Sequence, residues 1–158
     1  MDKKTFKNVK IHQSALIGSN VAIGENTTIW ANTFIGDKAK IGNNNIIGHG
    51  VFIDRNVIIG SNTVIHTNAL IYDGVIIEDD CFIGPAVCFT NDRYPKSGQK
   101  RDLTNINWTV GKGTSIGANT TILPDINIGK NCLIGAGSLV NKDIPDNTTA
   151  FGHPIEIK

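Results

Sequence analysis

A chain of 158 residues fits one ordinary domain and leaves no room for a second catalytic module. Hydrophobic residues make up 40%, enough for a continuous core, but aromatics are only 6%, so small aliphatic side chains must fill it. A formal net charge of +1 gives no long-range bias toward nucleic acid or an anionic membrane surface.

The opening residues from Met1 to Lys7 carry lysines without a following apolar run, so they do not read as a signal peptide. No stretch approaches the roughly 20 apolar residues of a membrane-spanning helix. Cys81, Cys88 and Cys132 are odd in number and lack paired metal spacing. Reduced thiols in a cytoplasmic protein are the simplest reading, with no metal site.

From Ile11 a six-residue frame takes over. It runs through Ile17, Ile23, Ile29, Ile35, Ile41, Ile47, Ile53, Ile59, Ile65, Ile71, Ile77 and Ile83 to Phe89, with Gly following seven of these positions. Four residues after each frame position sits a second small or branched residue, Asn45 being the clearly polar exception. Two inward residues flanking one outward residue is the alternation of a short strand. The Gly marks a bend where φ is positive or where backbones approach closely. A repeat of six does not stay on one face of a helix at 3.6 residues per turn. The sequence therefore predicts an all-β fold, a parallel β-helix of three strands and 18 residues per coil. Roughly seven coils would stack at about 4.8 Å.

The frame breaks after Phe89 and resumes at Val110, Ile116, Ile122, Ile128, Ile134 and Val140. Residues 90–109 are polar and turn-rich, and read as a loop protruding from a single β-helix domain that spans 1–158. Excursions of this length from a compact repeat are usually functional. The tail 144–158 carries Pro145 and Pro154 and no frame, so it reads as a C-terminal cap over the last coil's edge.

Residues 18 apart should stack. One edge then carries His12, Trp30, His49, His66 and Asn68, and a second carries Tyr72 and Asp73 below the root of the loop at Asn91. His49 and His66 read either as surface turn residues or as acceptors of a proton from an attacking amine. Asn68 reads as a turn residue tolerating the left-handed region, or as a carboxamide that holds the amine or an oxyanion. Tyr72-Asp73-Gly74 is a tight turn or a ligand contact, and Trp30 reads as an intersubunit packing residue. No Gly-x-Ser-x-Gly and no Cys beside a catalytic His offers a protein nucleophile. No His-x4-His pair supports the zinc site of a γ-class carbonic anhydrase.

The repeat is similar to that of the hexapeptide-repeat acyltransferases, which implies a left-handed coil where parallel crossovers are usually right-handed. Four stretches resemble the nucleotide-linked 3-amino-sugar N-acetyltransferases within that superfamily: Ile23-Gly24-Glu25-Asn26-Thr27-Thr28-Ile29-Trp30, His49-Gly50-Val51-Phe52-Ile53, Ile71-Tyr72-Asp73-Gly74-Val75, and Gly84-Pro85 through Phe89-Thr90-Asn91-Asp92-Arg93-Tyr94-Pro95. Relatives acting on UDP-linked 3-amino uronic acids have Gln-Asn-Asn where this chain has His66-Thr67-Asn68, so a dTDP-3-amino-3,6-dideoxyhexose is the favoured acceptor. The resemblance implies acetyl-CoA as cosubstrate, no permanently bound cofactor, direct attack of the amine in a ternary complex, and a homotrimer with sites between neighbouring prisms. It implies His49, His66 and Asn68 as catalytic residues, and Tyr72, Asp73, Asn91, Asp92 and Arg93 as substrate-binding residues. It also implies Gly117, Ala118, Gly135, Ala136, Lys142 and Pro154 along acetyl-CoA. The alternatives are a UDP-linked 3-amino uronic acid acceptor, a hydroxyl acceptor, or a non-catalytic β-helix that presents a surface to partners.

Overall fold

The computed structural model describes residues 7–99 and 108–158. The N-terminal residues 1–6 and the 100–107 part of the expected loop lie outside the described residues. The chain coils as a three-faced prism. Among the described residues the first face holds nine strands, beginning Lys10–Ile11, Thr28–Ile29, Ile46–Ile47, Val64–Ile65 and Phe82–Ile83. The second holds seven, beginning Leu16–Ile17, Phe34–Ile35, Phe52–Ile53, Leu70–Ile71 and Cys88–Phe89. The third holds five, from Ala22–Ile23 to Trp108–Val110. No helix among the described residues is long and apolar enough to cross a membrane.

The 18-residue stacking is borne out in the register. Lys10 lies opposite Thr28, Leu16 opposite Phe34 and Ala22 opposite Lys40. Each coil donates N–H groups to the carbonyls of the next, as His12 does to Ile29 at 2.9 Å. Ile29, Ile47, Ile65, Ile83, Ile116 and Ile134 form one buried column of the core.

The Gly after each frame residue serves close approach, not positive φ. A Cβ built on Gly48 would lie 2.8 Å from the Thr67 nitrogen in the next coil, and one on Gly36 would lie 2.5 Å from that of Arg55. The left-handed residue comes two places later and is mostly Asn, as at Asn20, Asn26, Asn32, Asn44, Asn56, Asn62 and Asn68. Asn tolerates that region at small cost. On the third corner these amides form an exposed ladder, Asn26 donating to Asn44 at 3.3 Å, Asn44 to Asn62 at 3.1 Å and Asn62 to Asp80 at 3.0 Å. The amide of Asn62 and the ammonium of Lys112 hold the Asp80 carboxyl below its ordinary range.

Asn45, the polar exception in the frame, sits in a buried ladder with Thr27, Thr63 and Cys81. It donates to Gly60 O at 2.8 Å and accepts from Thr63 N–H at 2.7 Å, while its own N–H donates to Thr27 Oγ1 at 3.2 Å. Thr63 repeats the pattern one coil up, toward Glu78 O and Cys81 N–H. Asn45→Ala strands a buried carbonyl and a buried N–H, and should cost about 2–4 kcal/mol, whereas Asn45→Thr restores the local pattern and should lose about 1. Thermal melts of the two variants check this, and equal melting temperatures would remove the ladder as a stabilising element.

Three boundaries differ from expectation. The chain rejoins the prism at Trp108, so residues 108 and 109 belong to a strand and not to the loop. Trp108 is buried opposite Val75, and its indole N–H donates to Asp125 at 3.0 Å. At the loop's other end, Thr90 already donates backbone and hydroxyl to Ile122 O, at 2.9 and 3.0 Å. Phe82 pairs with Ser115, 33 residues on instead of 18, so the excursion adds 15 residues to one coil. The tail also continues the coil. Ile134 pairs with Ala150, 16 residues on, so the frame persists with a slip of two. Ile144 bridges Ile128 within the same slipped coil. Only Glu156–Ile157, antiparallel to Thr149–Phe151, closes an edge as a cap should.

Candidate functional site

The first corner, between the first and second faces, brings His49, His66 and Asn68 together. Register sets His49 beside Thr67 and Gly48 beside His66. All three candidates are exposed. The His49 turn is pinned from both sides: Gly50 N–H donates to Ala31 O below, and Asn68 N–H donates to His49 O above, each at 2.9 Å. The imidazole of His49 has no hydrogen-bond or ring partner among the described residues. His66 turns away and packs at 5.0 Å on the Phe82 ring, so the two imidazoles do not pair. Asn68 has φ of 59°, which accounts for an Asn at that place by turn geometry alone.

The second corner carries the other cluster. Tyr72 lies below Thr90, where the loop departs, and tilts against Phe52 at 5.5 Å; Phe52 in turn stacks on Phe34 at 5.2 Å. Asp73 is already engaged. Its carboxylate accepts from Arg55 Nε at 2.8 Å and from Asn56 Nδ2 at 3.1 Å, and its side chain is only 14% exposed. The same contact raises the Arg55 pKa above its ordinary value. Asp92 accepts from Tyr94 N–H at 2.9 Å, Arg93 donates to Pro124 O at 2.9 Å, and Asn91 is exposed. The two clusters lie across the second face from each other, about 15 Å at five residues of extended chain. The aromatic row Phe34–Phe52–Tyr72 that joins them escaped the sequence reading, although its signal is simple: large apolar residues just before the frame Ile at Leu16, Phe34, Phe52 and Leu70, always 18 apart.

Farther along the first corner lie Gly117, Ala118, Gly135 and Ala136. The glycine N–H groups are used in the coil ladder, Gly117 to Ile134 O at 2.8 Å and Gly135 to Ala150 O at 2.9 Å. A Cβ on Gly117 would meet Ala136 N at 2.5 Å, so these glycines answer to coil stacking. Among the described residues the N–H groups of His49, Thr67, Ala118 and Ala136 enter no hydrogen bond, leaving a column of donors on this corner. Ala118 stands three coils above His49, about 14 Å. Lys142 and Pro154 are exposed at the C-terminal end of the second face, and Lys142 helps lower the Glu156 pKa, after the larger effect of Lys158.

A cleft of about 350 Å³ opens on the third face between Glu78, Asn127, Lys130, Asp143 and Asp146, and none of the candidate residues lines it. Its carboxylates and amide already accept backbone N–H groups, as Asp143 does from Asn127 at 2.8 Å. Cys81 and Cys132 are buried and donate to carbonyls, and burial pushes the Cys81 thiol up to about 11.

The chain matches the family described as bacterial transferase hexapeptide (six repeats) at residues 3–37, 23–55, 56–91 and 109–142. These matches cover most of it, and the protein belongs to that family, with the left-handed β-helix its repeats define. A galactoside O-acetyltransferase from Lactococcus lactis subsp. lactis (strain IL1403) is 42% identical over 79 residues, 48% of this chain and 38% of that one. A dTDP-3-amino-3,6-dideoxy-alpha-D-galactopyranose 3-N-acetyltransferase from Aneurinibacillus thermoaerophilus is 51% identical over 49 residues, 31% of this chain and 26% of that one. The structure is similar to PerB from Caulobacter crescentus in complex with CoA and GDP-perosamine, with a TM-score of 0.61 and 25% identity over 97% of this chain and 58% of that one. The chain thus matches less than half the length of these curated relatives and under two thirds of PerB.

Proposed function

We propose that the protein is a cytoplasmic acetyl-CoA-dependent N-acetyltransferase whose acceptor is the amine of a dTDP-3-amino-3,6-dideoxyhexose. The observation that carries the reading is the first corner: an exposed imidazole at His49, held in a turn pinned from both sides, within a column of unpaired backbone N–H groups. The similarity to an amino-sugar 3-N-acetyltransferase and to PerB with its CoA and GDP-perosamine supports the donor and the acceptor class.

The amine attacks the acetyl carbonyl carbon, the new C–N bond forms, and the C–S bond then breaks to release coenzyme A. Thr67 N–H, one coil above His49, is the donor placed to hold the oxygen that becomes negative. Ala118 and Ala136 are about 14 Å or more up the prism, too far from His49 for that task. Their N–H groups suit the amide carbonyls of the pantetheine arm instead. His49 takes the proton that the amine loses. Cys81 and Cys132 supply no nucleophile, because both thiols are buried and spend their hydrogens on carbonyls.

The assembly we propose is a homotrimer. Its support is the exposed apolar row on the second face, led by Leu16 at 65% exposure and Phe34 at 37%. Apposing this face to a neighbouring prism would also give the two candidate clusters a common groove. Sedimentation should give three times the chain mass of 17.0 kDa, and a stable native monomer would remove the intersubunit site.

A hydroxyl acceptor is the second reading, favoured by the longer match to a galactoside O-acetyltransferase. Incubation with acetyl-CoA and a panel of dTDP- and UDP-linked amino sugars and simple galactosides, followed by free thiol release, separates the two. Thiol release with the dTDP-linked 3-amino sugar supports the proposal. Release with galactosides alone moves the acceptor to a hydroxyl, and silence with every acceptor leaves a non-catalytic β-helix.

A further inference from the structure

The glycines that follow frame residues show where a side chain at that place leaves the backbone. Built Cβ atoms on Gly18, Gly36, Gly48, Gly60 and Gly117 lie 2.8, 2.5, 2.8, 2.6 and 2.5 Å from the backbone nitrogens of Asp37, Arg55, Thr67, Asp79 and Ala136, in each case nineteen residues on. Trp30 occupies the same place in its turn, and the residue nineteen on is His49. Register sets Trp30 beneath Gly48, and His49 is the next residue of that coil, so the tryptophan leaves the chain beside the His49 turn. Its indole is 53% exposed and has no hydrogen bond or ring contact among the described residues. The next residue up this column is Gly48, and the one after it, His66, is turned onto Phe82. An exposed aromatic residue thus stands one coil below the His49 turn, and Gly48 above it in the column carries no side chain.

Charge around this spot is uniform. The first-corner turns at 12–14, 30–32, 48–50, 66–68 and 84–86 hold no Lys, Arg, Asp or Glu. Of the outward residues flanking them, Thr28, Ile46, Val64 and Phe82 on one side and Leu16, Phe34, Phe52 and Leu70 on the other hold none, and Lys10, opposite Thr28, is the one charge at the foot of the column. A carboxylate brought beside His49 would lose water, and the cation in this column, Lys10, lies two coils below. A methyl group or a C–H face of a sugar ring would gain apolar contact with the indole.

We propose that Trp30 is a specificity-determining residue, its indole packing on the methyl-bearing face of a 6-deoxy amino sugar whose amine faces His49, and that this apolar wall excludes 3-amino uronic acids. The proposal rests on the function proposed above and adds the residue that selects the sugar.

The test uses the two tryptophans. Trp108 is buried at 1% exposure, so ligand-dependent emission changes report Trp30. Native protein and Trp30→Phe are titrated with a methyl 3-amino-3,6-dideoxyhexoside, with dTDP alone and with a 3-amino uronic acid glycoside. Saturable change with the deoxy sugar in native protein, absent from Trp30→Phe and at least tenfold weaker with the uronic acid, supports the proposal even if no acetyl transfer is detected. No change with the deoxy sugar overturns it, and so does an equal response to dTDP alone, which would mean that the indole meets the base. In kinetics with the dTDP-linked acceptor, Trp30→Ala should raise acceptor KM roughly 10–100-fold and leave acetyl-CoA KM unchanged, and Trp30→Phe should stay within about threefold of native. A Trp30→Ala protein that dissociates into subunits and loses affinity for both substrates alike would make the indole an interface residue and overturn the proposal. Failure of the proposed function reads differently: the native protein then releases no thiol with any amino sugar, whatever the titration shows.

Discussion

Replacing Ile65 with Asp should unfold the middle coils of the prism and lower stability by at least 3–5 kcal/mol, a large part of the roughly 5–15 kcal/mol that a domain has. Ile65 is fully buried and stacked between Ile47 and Ile83 in the central column. Its neighbours there are aliphatic, so a carboxylate would be desolvated with neither a cation nor a donor to offset the cost. It must protonate or drag water into the core. Each coil of a solenoid contacts only its neighbours, so a defect at mid-height breaks the stack in two and leaves each half with a raw edge. Ala22→Asp is the control. Ala22 is exposed on the outward side of the third face, opposite Lys40, and the change should move stability by no more than about 0.5 kcal/mol. Melting followed by circular dichroism checks both. An Ile65→Asp protein that melts within a few degrees of native would mean that the column is not the load path of the fold.

How much of this could be read from the sequence differs from one feature to the next. The six-residue frame carried the register, because a constant step makes stacking partners a matter of counting; Arg55 and Asp73, 18 apart, could have been paired in the same way. The left-handed position was also visible, as Asn three places after Ile in turn after turn, but the more frequent Gly drew attention to the wrong place. The slip of two residues between Ile134 and Ala150 was hidden from any search with a fixed step. Asn45 looked like a flaw because a buried amide is tolerated only when its partners are present, and those partners, Thr27, Gly60 and Thr63, lie in three different coils or turns. At the site, counting placed His49 and His66 on one corner. It could not show that His66 would rest on Phe82, since that depends on side-chain torsions and on the neighbouring face. Nor could it show that Arg93 already has a protein partner.

His49→Asn should lower kcat by roughly 10²–10⁴ with little change in acetyl-CoA affinity. In the reaction proposed above, the acceptor amine carries a proton that must leave as the C–N bond forms, and histidine is the side chain best suited to take it near neutral pH. The structure leaves His49, not His66, free for that role: its ring is exposed and unpartnered, while its backbone is fixed by Ala31 and Asn68 from the coils on either side. Asn keeps the polarity and approximate size of the side chain and removes only its basicity, so folding and donor binding should be untouched. His66→Asn should instead raise KM for the acceptor and leave kcat near native, because a ring resting on Phe82 is placed to position a ligand. A His49→Asn enzyme within a few-fold of native kcat would take His49 out of the proton path and leave the departing coenzyme A thiolate or water as the acceptor.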